Sequence, residues 1–416
     1  MSLTALAPEP VLSRPPLLDE FTGDDIHVIR SDAEALEVVA RLATELKKTA
    51  PDRDRDRRVP VDEVELITRS GLLGVLVPKE YGGAGVSIVT LAKILQTLSA
   101  ADGSLGQIHQ NHFNFTYVVA EHGREEQKQF FLSRILRGAR LGNALAEPQD
   151  NYFLKGFATN LKRQTDGSYR LNGRKFYTTG AYLAHWLPVA VSEGEGKSAL
   201  VYVPRHAPGV EVINDWSGMG QRNTLSGTAT FDEVHITEDA IFRRPQNKYR
   251  PNNNSYPQIM HAAIDTGLAQ GALEDIVWFV KNHARAWRES GQEEAGREPV
   301  LIKQFGELVV ELRASEALLY HAARLLDASL PDLDNEEAAL EAYMAIAAAR
   351  AQADKASLRM GNELFEFGGS RSTVEKWRLD RHWRNARTHT MHDPARWKLH
   401  HLGNYHLHGV KPPVRP

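Results

Sequence analysis

Hydrophobic and polar positions follow three different patterns along the chain. Apolar residues recur at helical spacing in 31–139, alternate with polar residues in 140–250, and return to helical spacing in long runs in 251–416. A spacing near 3.6 predicts amphipathic helices, and alternation predicts strands with one buried face. The sequence therefore predicts an α+β protein with an N-terminal helical domain, a central antiparallel β domain and a C-terminal four-helix bundle with a tail, after a flexible leader in 1–30.

Two short segments predict a turn and a loop. Asn172-Gly173 stands between alternating runs, which predicts a two-residue hairpin turn. The segment PDRDRDRRVP (51–60) mixes both charge signs between prolines, and we interpret it as a solvated loop or a helix entry. The first prediction divides two strands at residue 172, and the second ends the first long helix before residue 51.

Charge and composition exclude several classes of protein. The net charge is −3, so the chain provides no field for nucleic acid or an anionic membrane surface. No apolar run reaches the roughly 20 residues that a membrane span needs, and the N-terminus does not resemble a secretory signal. The sequence has 0 cysteines, which excludes disulfides and thiolate chemistry. We expect a cytoplasmic protein without a dinucleotide-binding motif.

Four segments carry a resemblance to a known family. They are GNALAEPQDN (142–151), LNGRKFYTTGA (171–181), GMGQRNTLSGTATFDEVHI (218–236) and FEFGGSRST (365–373). With the helical, β, helical order, these segments resemble the acyl-CoA dehydrogenase fold over nearly the whole chain after about residue 30. The resemblance implies that the first two segments contact a flavin ring and that the last holds the flavin of a neighbouring subunit.

The C-terminal part points to one branch of that fold. The dehydrogenases usually carry a catalytic Glu in a YEGT turn, where this chain reads THTMHDP (388–394). That stretch, with DGSLGQIHQNH (102–112) and NDWSGMGQRNT (214–224), is more similar to the dibenzothiophene monooxygenase and sulfur-acquisition oxidoreductase family. The resemblance implies the oxygenase component of a two-component monooxygenase, which oxidises a small organosulfur compound through a flavin C4a-(hydro)peroxide.

The resemblance also assigns catalytic residues. His392 and His112 are the candidates for proton transfer to the flavin peroxide. Asn143 and Thr179 are the candidates for positioning the flavin. Imidazole suits proton transfer because its ordinary pKa, about 6.5, lies near working pH. Asp393 has a different predicted role, since Asp-Pro ahead of a helical pattern indicates a helix N-cap.

Cofactor contacts and partners follow from the same resemblance. The candidate flavin-binding residues are Asn143, Tyr177, Thr179, Trp216, Ser226, Arg285, Arg371 and His389. The two arginines suit the flavin phosphate because a guanidinium binds phosphate through two parallel hydrogen bonds. We expect FMN, reduced by a separate NAD(P)H:flavin reductase, with FAD as the alternative. The substrates are then O2 and the sulfur compound, and the chain forms a homotetramer in which Arg371 reaches a neighbouring site.

Three other interpretations compete with this one. An FAD-dependent acyl-CoA dehydrogenase would use Asp393 as a displaced base. A non-catalytic helical interaction protein would have kept the fold and lost the site. A metal site is suggested by seven of the 17 histidines, which fall at 382 or later, but no HExxH motif or consistently spaced carboxylate supports one.

Overall fold

The computed structural model describes residues 26–148, 156–243 and 252–413, with the side chains of 252–254 excepted. The N-terminal helices are α1 (Asp32–Asp56), α2 (Val61–Arg69), α3 (Ile88–Ala101), α4 (Gly103–His122) and α5 (Glu125–Leu136). Most of the predicted leader lies outside the described residues. Its last part packs on the domain, since Ile29 is buried in the same hydrophobic core as α1 and α3.

The charged segment 51–60 is not a solvated loop. Helix α1 continues through Pro51 to Asp56, and Arg53 in its last turns is 1 % exposed. The Arg53 guanidinium lies 2.7 Å from the carboxylate of Asp102 and 2.8 Å from that of Glu63. A buried guanidinium needs such partners, so this arginine joins three helices, and the interpretation as a loop was wrong.

Within the described residues, the central domain forms a sheet of seven strands in the order β5-β6-β2-β1-β3-β4-β7. Its strands are β1 (Asn160–Arg163), β2 (Tyr169–Lys175), β3 (Trp186–Gly194), β4 (Lys197–Pro204), β5 (Val210–Ile213), β6 (Thr228–Ile236) and β7 (Ile241–Phe242). All pairs are antiparallel except β1 with β3. Alternate residues of these strands, such as Leu171 and Val234, meet in a separate hydrophobic core.

The predicted turn at Asn172-Gly173 was wrong. Strand β2 runs through both residues, and its register with β6 shifts between Leu171 and Gly173. The Asn172 side chain accepts from the backbone N–H of Glu233 at 2.9 Å, which pairs it across the sheet. A Cβ at Gly173 would lie 2.5 Å from the Thr159 hydroxyl, so a close approach of strands explains this glycine.

The C-terminal helices are α6 (Asn252–Asn282), α7 (Pro299–Ser329), α8 (Glu336–Gly368), α9 (Asp380–His389) and α10 (Ala395–His408). Helices α6 and α8 share a hydrophobic core with α3 of the first domain, with Leu95, Ile264 and Ile346 among its members. The two helical domains are thereby joined along α6. None of the described helices is long and apolar enough to cross a membrane.

Asp393 does not cap α10. The N-cap of this helix is Pro394, with no capping side chain, and the Asp393 carboxylate lies 2.7 Å from the Lys398 ammonium. Both residues are buried. The prediction of an Asp393 N-cap was therefore wrong, because a buried lysine on the same helix competes for the carboxylate.

Candidate active site

The segment after α5 meets the chain that follows β2 at the half-buried side-chain amide of Asn143. The Asn143 side-chain N–H donates to the Tyr177 carbonyl at 3.1 Å. The Asn143 Oδ1 atom is buried and has no hydrogen-bond partner among the described residues. A Cβ at Gly142 would lie 2.7 Å from the Ala181 Cα, so only glycine permits this approach. Asn143 thus offers one unused acceptor at the edge of the sheet.

Aromatic side chains flank this amide. Tyr177 has a φ of 54°, which is unusual for a residue with a side chain, and its side chain is 54 % exposed. Its ring lies edge-on to the Trp216 ring, with centroids 5.9 Å apart. The Trp216 indole N–H donates to the Gln221 carbonyl at 2.9 Å, which holds the indole in place. The two rings form an open aromatic wall beside Asn143.

Three hydroxyl groups lie next to the aromatic wall. The Thr179 Oγ1 atom lies 2.7 Å from the Ser226 Oγ atom, which lies 2.7 Å from the Thr224 Oγ1 atom. All three residues are buried. Five residues predicted to bind the flavin are therefore brought together, and we call them the polar cradle: Asn143, Tyr177, Thr179, Trp216 and Ser226.

A buried ion pair fixes the strands under the cradle. Lys175 at the end of β2 lies 2.9 Å from the Glu147 carboxylate, which also accepts from the backbone N–H groups of Ala158 and Thr159. Burial opposes the charge of Glu147, but these hydrogen bonds outweigh it and lower its pKa to about 2. Burial lowers the pKa of Lys175 to about 8. Both groups are charged at neutral pH, so the pair locks the strand ends.

Three histidines form the second part of the site, and we call His261, His389 and His392 the histidine cluster. His389 places Nδ1 2.5 Å from an Asp265 carboxylate oxygen and Nε2 3.1 Å from Nδ1 of His261. The His261 ring lies 4.1 Å from the His392 ring, centroid to centroid. The second Asp265 oxygen is bound by the guanidinium of Arg350. Polar contacts thus lead from Arg350 on α8 to His261, and a ring contact joins His261 to His392.

Burial within the cluster controls protonation. His392 is exposed by surface area, yet dense protein surroundings, and then the charges of His389 and Arg350, lower its pKa to about 4. Burial, followed by the charges of His392 and His389, holds the pKa of His261 well below its usual value. Both imidazoles are neutral at pH 7.

A carboxyl group also lies near the cluster. Burial, followed by the charge of Asp265, raises the pKa of Asp354 to about 6. Burial alone would raise the pKa of Asp265 as well, but its interactions with His389 and Arg350 outweigh burial and hold it below the usual range. Asp354 therefore titrates near neutral pH, whereas Asp265 stays ionised.

The loop before β6 joins the two parts of the site. Its Gln221 backbone N–H donates to the Asn385 side chain of α9 at 2.7 Å, and its Gly220 N–H donates to the Thr388 hydroxyl at 3.1 Å. The same loop continues to Ser226 in the polar cradle. Since α9 ends at His389, this contact sets the position of the histidine cluster relative to the cradle.

His112 lies apart from the cluster. Its Nδ1 accepts from the Leu141 N–H at 3.1 Å, and its Nε2 lies 2.9 Å from the Leu73 carbonyl. Burial lowers its pKa to about 3. Both ring nitrogens are thus occupied by the backbone, and the geometry does not support the predicted catalytic role. His112 instead holds the chain two residues before Asn143.

The two predicted phosphate ligands lie on the surface. Arg371 follows α8 and donates to the His283 carbonyl at 2.9 Å, and Arg285 is two residues farther along the chain from His283. Both arginines are exposed. No described contact joins either arginine to the polar cradle of the same chain. The structure brings the arginines near each other, and their role toward a flavin stays a prediction.

Sequence reasoning missed four residues of the site: His261, Asp265, Arg350 and Asp354. A signal for them exists, because each helix carries a polar pair four residues apart within an otherwise apolar stretch, MHAAID on α6 and ARAQAD on α8. Residues four apart lie on one helix face. A polar pair on the buried face of a long helix needs a partner, and here the two pairs face each other.

A separate cavity of about 330 Å³ lies between α5 and the sheet, lined by residues such as Phe130, Trp186 and His235. None of the polar cradle or the histidine cluster lines it, so we do not assign it to the reaction. Within the part of the chain that the structure describes, no group of three or more His, Asp or Glu residues could hold a metal ion.

Comparison with known proteins supports the fold and the branch. Family models of the acyl-CoA dehydrogenase N-terminal, middle and C-terminal domains match residues 32–139, 142–234 and 259–397. The dibenzothiophene monooxygenase of Mycolicibacterium goodii is 30 % identical over 90 % of this chain and 94 % of its own. The chain belongs to the acyl-CoA dehydrogenase family. Within that family, its similarity is to the monooxygenase branch.

Further relatives agree. A probable FMNH2-dependent monooxygenase, SfnC of Pseudomonas putida, is 30 % identical over 91 % of this chain and 96 % of its own. FMN-bound TdsC from Paenibacillus sp. A11-2 has a TM-score of 0.86 at 30 % identity and covers 91 % of this chain and 98 % of its own. Methanesulfinate monooxygenase MsuC from Pseudomonas fluorescens has a TM-score of 0.84 at 32 % identity, covering 92 % and 98 %.

The residues present fit a flavin mononucleotide. The unused Oδ1 acceptor of Asn143 can take an N–H of a flavin ring, and the hydroxyls of Thr179 and Ser226 offer further hydrogen bonds. Tyr177 and Trp216 present aromatic surface on the open side. An amide acceptor, hydroxyl donors and an aromatic wall suit a planar heterocycle with polar edges.

Proposed function

We propose that this protein is the oxygenase component of a two-component, reduced-FMN-dependent monooxygenase that acts on a small organosulfur compound. The observation that carries the proposal is the position of the histidine cluster, which α9 and the Gln221 loop fix relative to the polar cradle. Support for FMN and for a sulfur substrate comes from the FMN-bound and sulfur-oxidising relatives.

The carboxylate that a dehydrogenase would need is engaged elsewhere. Asp393 is buried and paired with Lys398 at 2.7 Å, so it is not available to take a proton from a thioester. His392 precedes it, is exposed by surface area and lies against the His261 ring. An imidazole that is neutral at pH 7 can accept and return a proton within one cycle.

Each residue then has a task. The reduction of O2 takes four electrons. Reduced FMN supplies two of them when bound, and the substrate supplies the other two as it is oxidised. One oxygen atom enters the product and the other leaves as water. Asn143, Thr179 and Ser226 orient the ring, Tyr177 and Trp216 cover it and limit the entry of water, and His392 moves a proton for the departing water. Arg285 and Arg371 bind the phosphate.

Partners follow from these tasks. Names of the FMNH2-dependent relatives point to a supply of reduced flavin from outside the chain. We assign that supply to an NAD(P)H:flavin reductase that releases reduced FMN into solution. We further propose a homotetramer, in which Arg371 reaches the site of a neighbouring subunit.

Product analysis tests the proposal. The purified protein is mixed with a flavin reductase, FMN, NADH and O2, and dibenzothiophene and methanesulfinate are offered separately. We expect a product that is heavier by whole oxygen atoms, which come from labelled O2 and depend on the reductase. Reduction of an artificial acceptor by acyl-CoA without O2 would instead establish a dehydrogenase. If the protein does not bind reduced FMN under anaerobic conditions, the interpretation as a non-catalytic interaction protein is supported.

A further inference from the structure

The chain of contacts behind His392 is longer than proton donation by one imidazole requires. His261 and Asp265 stand one turn apart on α6, and both are buried, at 2 % and 0 % exposure. Asp265 binds Arg350 of α8 on one oxygen and His389 of α9 on the other. Three helices thus converge on one carboxylate, which fixes the orientation of the His389 ring.

We infer that α6 supplies the site with a proton relay, in which Asp265 and His389 set the tautomer of His261 and His261 exchanges a proton beside His392. An ionised Asp265 only accepts, so the Nδ1 atom of His389 carries a proton. With His389 neutral, its Nε2 accepts from Nδ1–H of His261 at 3.1 Å. His261 is then left with an Nε2 atom that bears no proton.

The relay has a second state with one more proton. When Nε2 of His261 accepts a proton, the Nδ1 proton of His261 passes to Nε2 of His389. His389 is then an imidazolium that donates to Asp265 and to His261, and Nε2 of His261 has become a donor. Every heavy atom keeps its place, and returning to the first state delivers one proton at His261 beside the His392 ring, 4.1 Å away.

Arg350 limits how strongly Asp265 favours the second state. An unpaired Asp265 carboxylate would attract the extra proton strongly, because opposite charges in a buried site attract strongly. The guanidinium neutralises that carboxylate and opposes a further positive charge. Other charged groups that face the histidine cluster are Asp354, Arg387, Asp393 and Lys398.

Helices α6 and α9 also form a comparable cluster that has only one histidine. Asp275 of α6 binds the Arg381 guanidinium at 2.6 Å and Nε2 of His382 at 2.8 Å. All three residues are buried. This cluster also joins a buried aspartate of α6 to an arginine and a histidine, so it is the control for any effect of removing a buried charged pair.

Histidine tautomers in the flavin-free protein test the relay directly. The ¹³Cδ2 shift of labelled histidine distinguishes the two neutral tautomers, and His261→Phe identifies the signal of His261. At pH 8 we expect His261 as the Nδ1–H tautomer. In Asp265→Leu/Arg350→Met, which removes both charges together, His261 should change to the Nε2–H form that free imidazole prefers. In Asp275→Leu/Arg381→Met it should not change.

Two results would overturn the relay: a wild-type His261 in the Nε2–H form, or a His261 signal that is unmoved in the first double variant. If that variant does not fold, His389→Phe breaks the same link and leaves the Asp265–Arg350 pair intact, with the same expected change at His261.

The catalytic part of the relay rests on the proposed function and has its own readout. His261→Phe keeps the ring against His392 but removes both nitrogens, and we expect product formed per NADH to fall by about 10- to 100-fold with an unchanged KM for the substrate. Asp275→Leu/Arg381→Met should stay near wild type. If the wild-type protein forms no product, the proposed function fails, whereas the tautomer result still decides the relay.

Discussion

At the scale of single residues, neighbours in the sequence take opposite roles. His392 is exposed, whereas the next residue, Asp393, is buried against Lys398. The turn between α9 and α10 separates the two side chains, because the His392 ring packs against His261 and the Asp393 carboxylate pairs with Lys398. Two titratable residues that are adjacent in the sequence therefore have different partners, and the proposed chemistry falls to His392 alone.

Replacing His392 should separate oxygenation from flavin binding. We expect His392→Ala to lower the rate of product formation by about 10² to 10⁴-fold, the usual contribution of a positioned acid or base. Affinity for reduced FMN, measured by anaerobic titration, should change little, because the polar cradle is on other elements. His408→Ala, an exposed histidine in the last turn of α10, is the control. Unchanged product formation in His392→Ala would contradict the assignment.

Asp354 should oppose stability at high pH. Its pKa is raised to about 6 from an ordinary value of 3.8, so the folded state binds this proton more tightly than the unfolded state. The carboxylate then destabilises the fold above pH 6, and the effect disappears as the pH falls toward 3.8. Asp354→Asn should raise the free energy of unfolding at pH 8 by about 1–2 kcal/mol, allowing for partial exposure.

Urea unfolding at pH 8 and at pH 4.5 measures this difference. The gain should be small at the lower pH, and Asp62→Asn, whose side chain is 92 % exposed, should show no gain at either pH. A loss of stability in Asp354→Asn at pH 8 would mean that the carboxylate has a favourable partner in solution.

Prediction from sequence was most successful where the chemistry resided in one short motif. The residues of the polar cradle could be predicted because they lie in the short segments that carry the family resemblance, 142–151, 171–181, 214–224 and 218–236. His261 and Arg350 belong to polar pairs that need partners, but no local pattern encodes the relative rotation of the two long helices that brings these pairs together. His112 was assigned to the site through its motif, although its ring nitrogens are bound by two backbone groups from distant segments.

At the scale of elements, the loop before β6 and helix α9 behave as one unit. A Cβ at Gly220 would lie 2.0 Å from the Arg384 carbonyl oxygen, so only glycine lets the loop lie against the helix. The Asn385 and Thr388 side chains then bind the loop backbone. This close contact transmits the position of the β domain to the histidine cluster.

Separating this loop from α9 should damage both stability and the site. We expect Gly220→Ala to cost about 1–3 kcal/mol of stability by overpacking and to weaken reduced FMN binding, as measured by thermal unfolding and anaerobic titration. Gly403→Ala in α10 is the control, since nothing lies within 4 Å of its Cβ position. That variant should be neutral or slightly stabilising. Equal effects of the two variants would contradict the role of the loop.

Element boundaries show why some predictions failed. The spacing of apolar residues predicted the three long C-terminal helices. It did not predict the end of α1, because Arg53 is drawn into the helix by Asp102 and Glu63 from other elements. Likewise, Asn172-Gly173 has the residue types of a turn but lies inside β2, where the register with β6 shifts. Long-range partners overrode local propensity at both places.

At the scale of the whole molecule, one helix presents apolar side chains to solvent in the single chain. Val300, Ile302 and Val310 on α7 are 69 %, 54 % and 69 % exposed. Such clustering is typical of a surface that another chain covers. The exposed apolar side chains of α7 support the proposed tetramer. In that tetramer the exposed Arg371 would contact the site of a second chain.

Mixing two inactive variants tests whether the site is shared between chains. Arg371→Ala removes the proposed phosphate contact and His392→Ala removes the proposed proton donor, so each homo-oligomer should be nearly inactive. If Arg371 serves a neighbouring site, a mixed pair contains one complete site, with His392 from one chain and Arg371 from the other. Random reassembly of equal amounts should then restore about a quarter of the wild-type product formation. Half of the pairs are mixed, and one of the two sites in each mixed pair is complete.

Light scattering must show that the variants keep the wild-type mass, and mixing without dissociation is the control. If reassembled mixtures show no more product formation than the separate variants, Arg371 acts within its own chain, and the shared site is wrong.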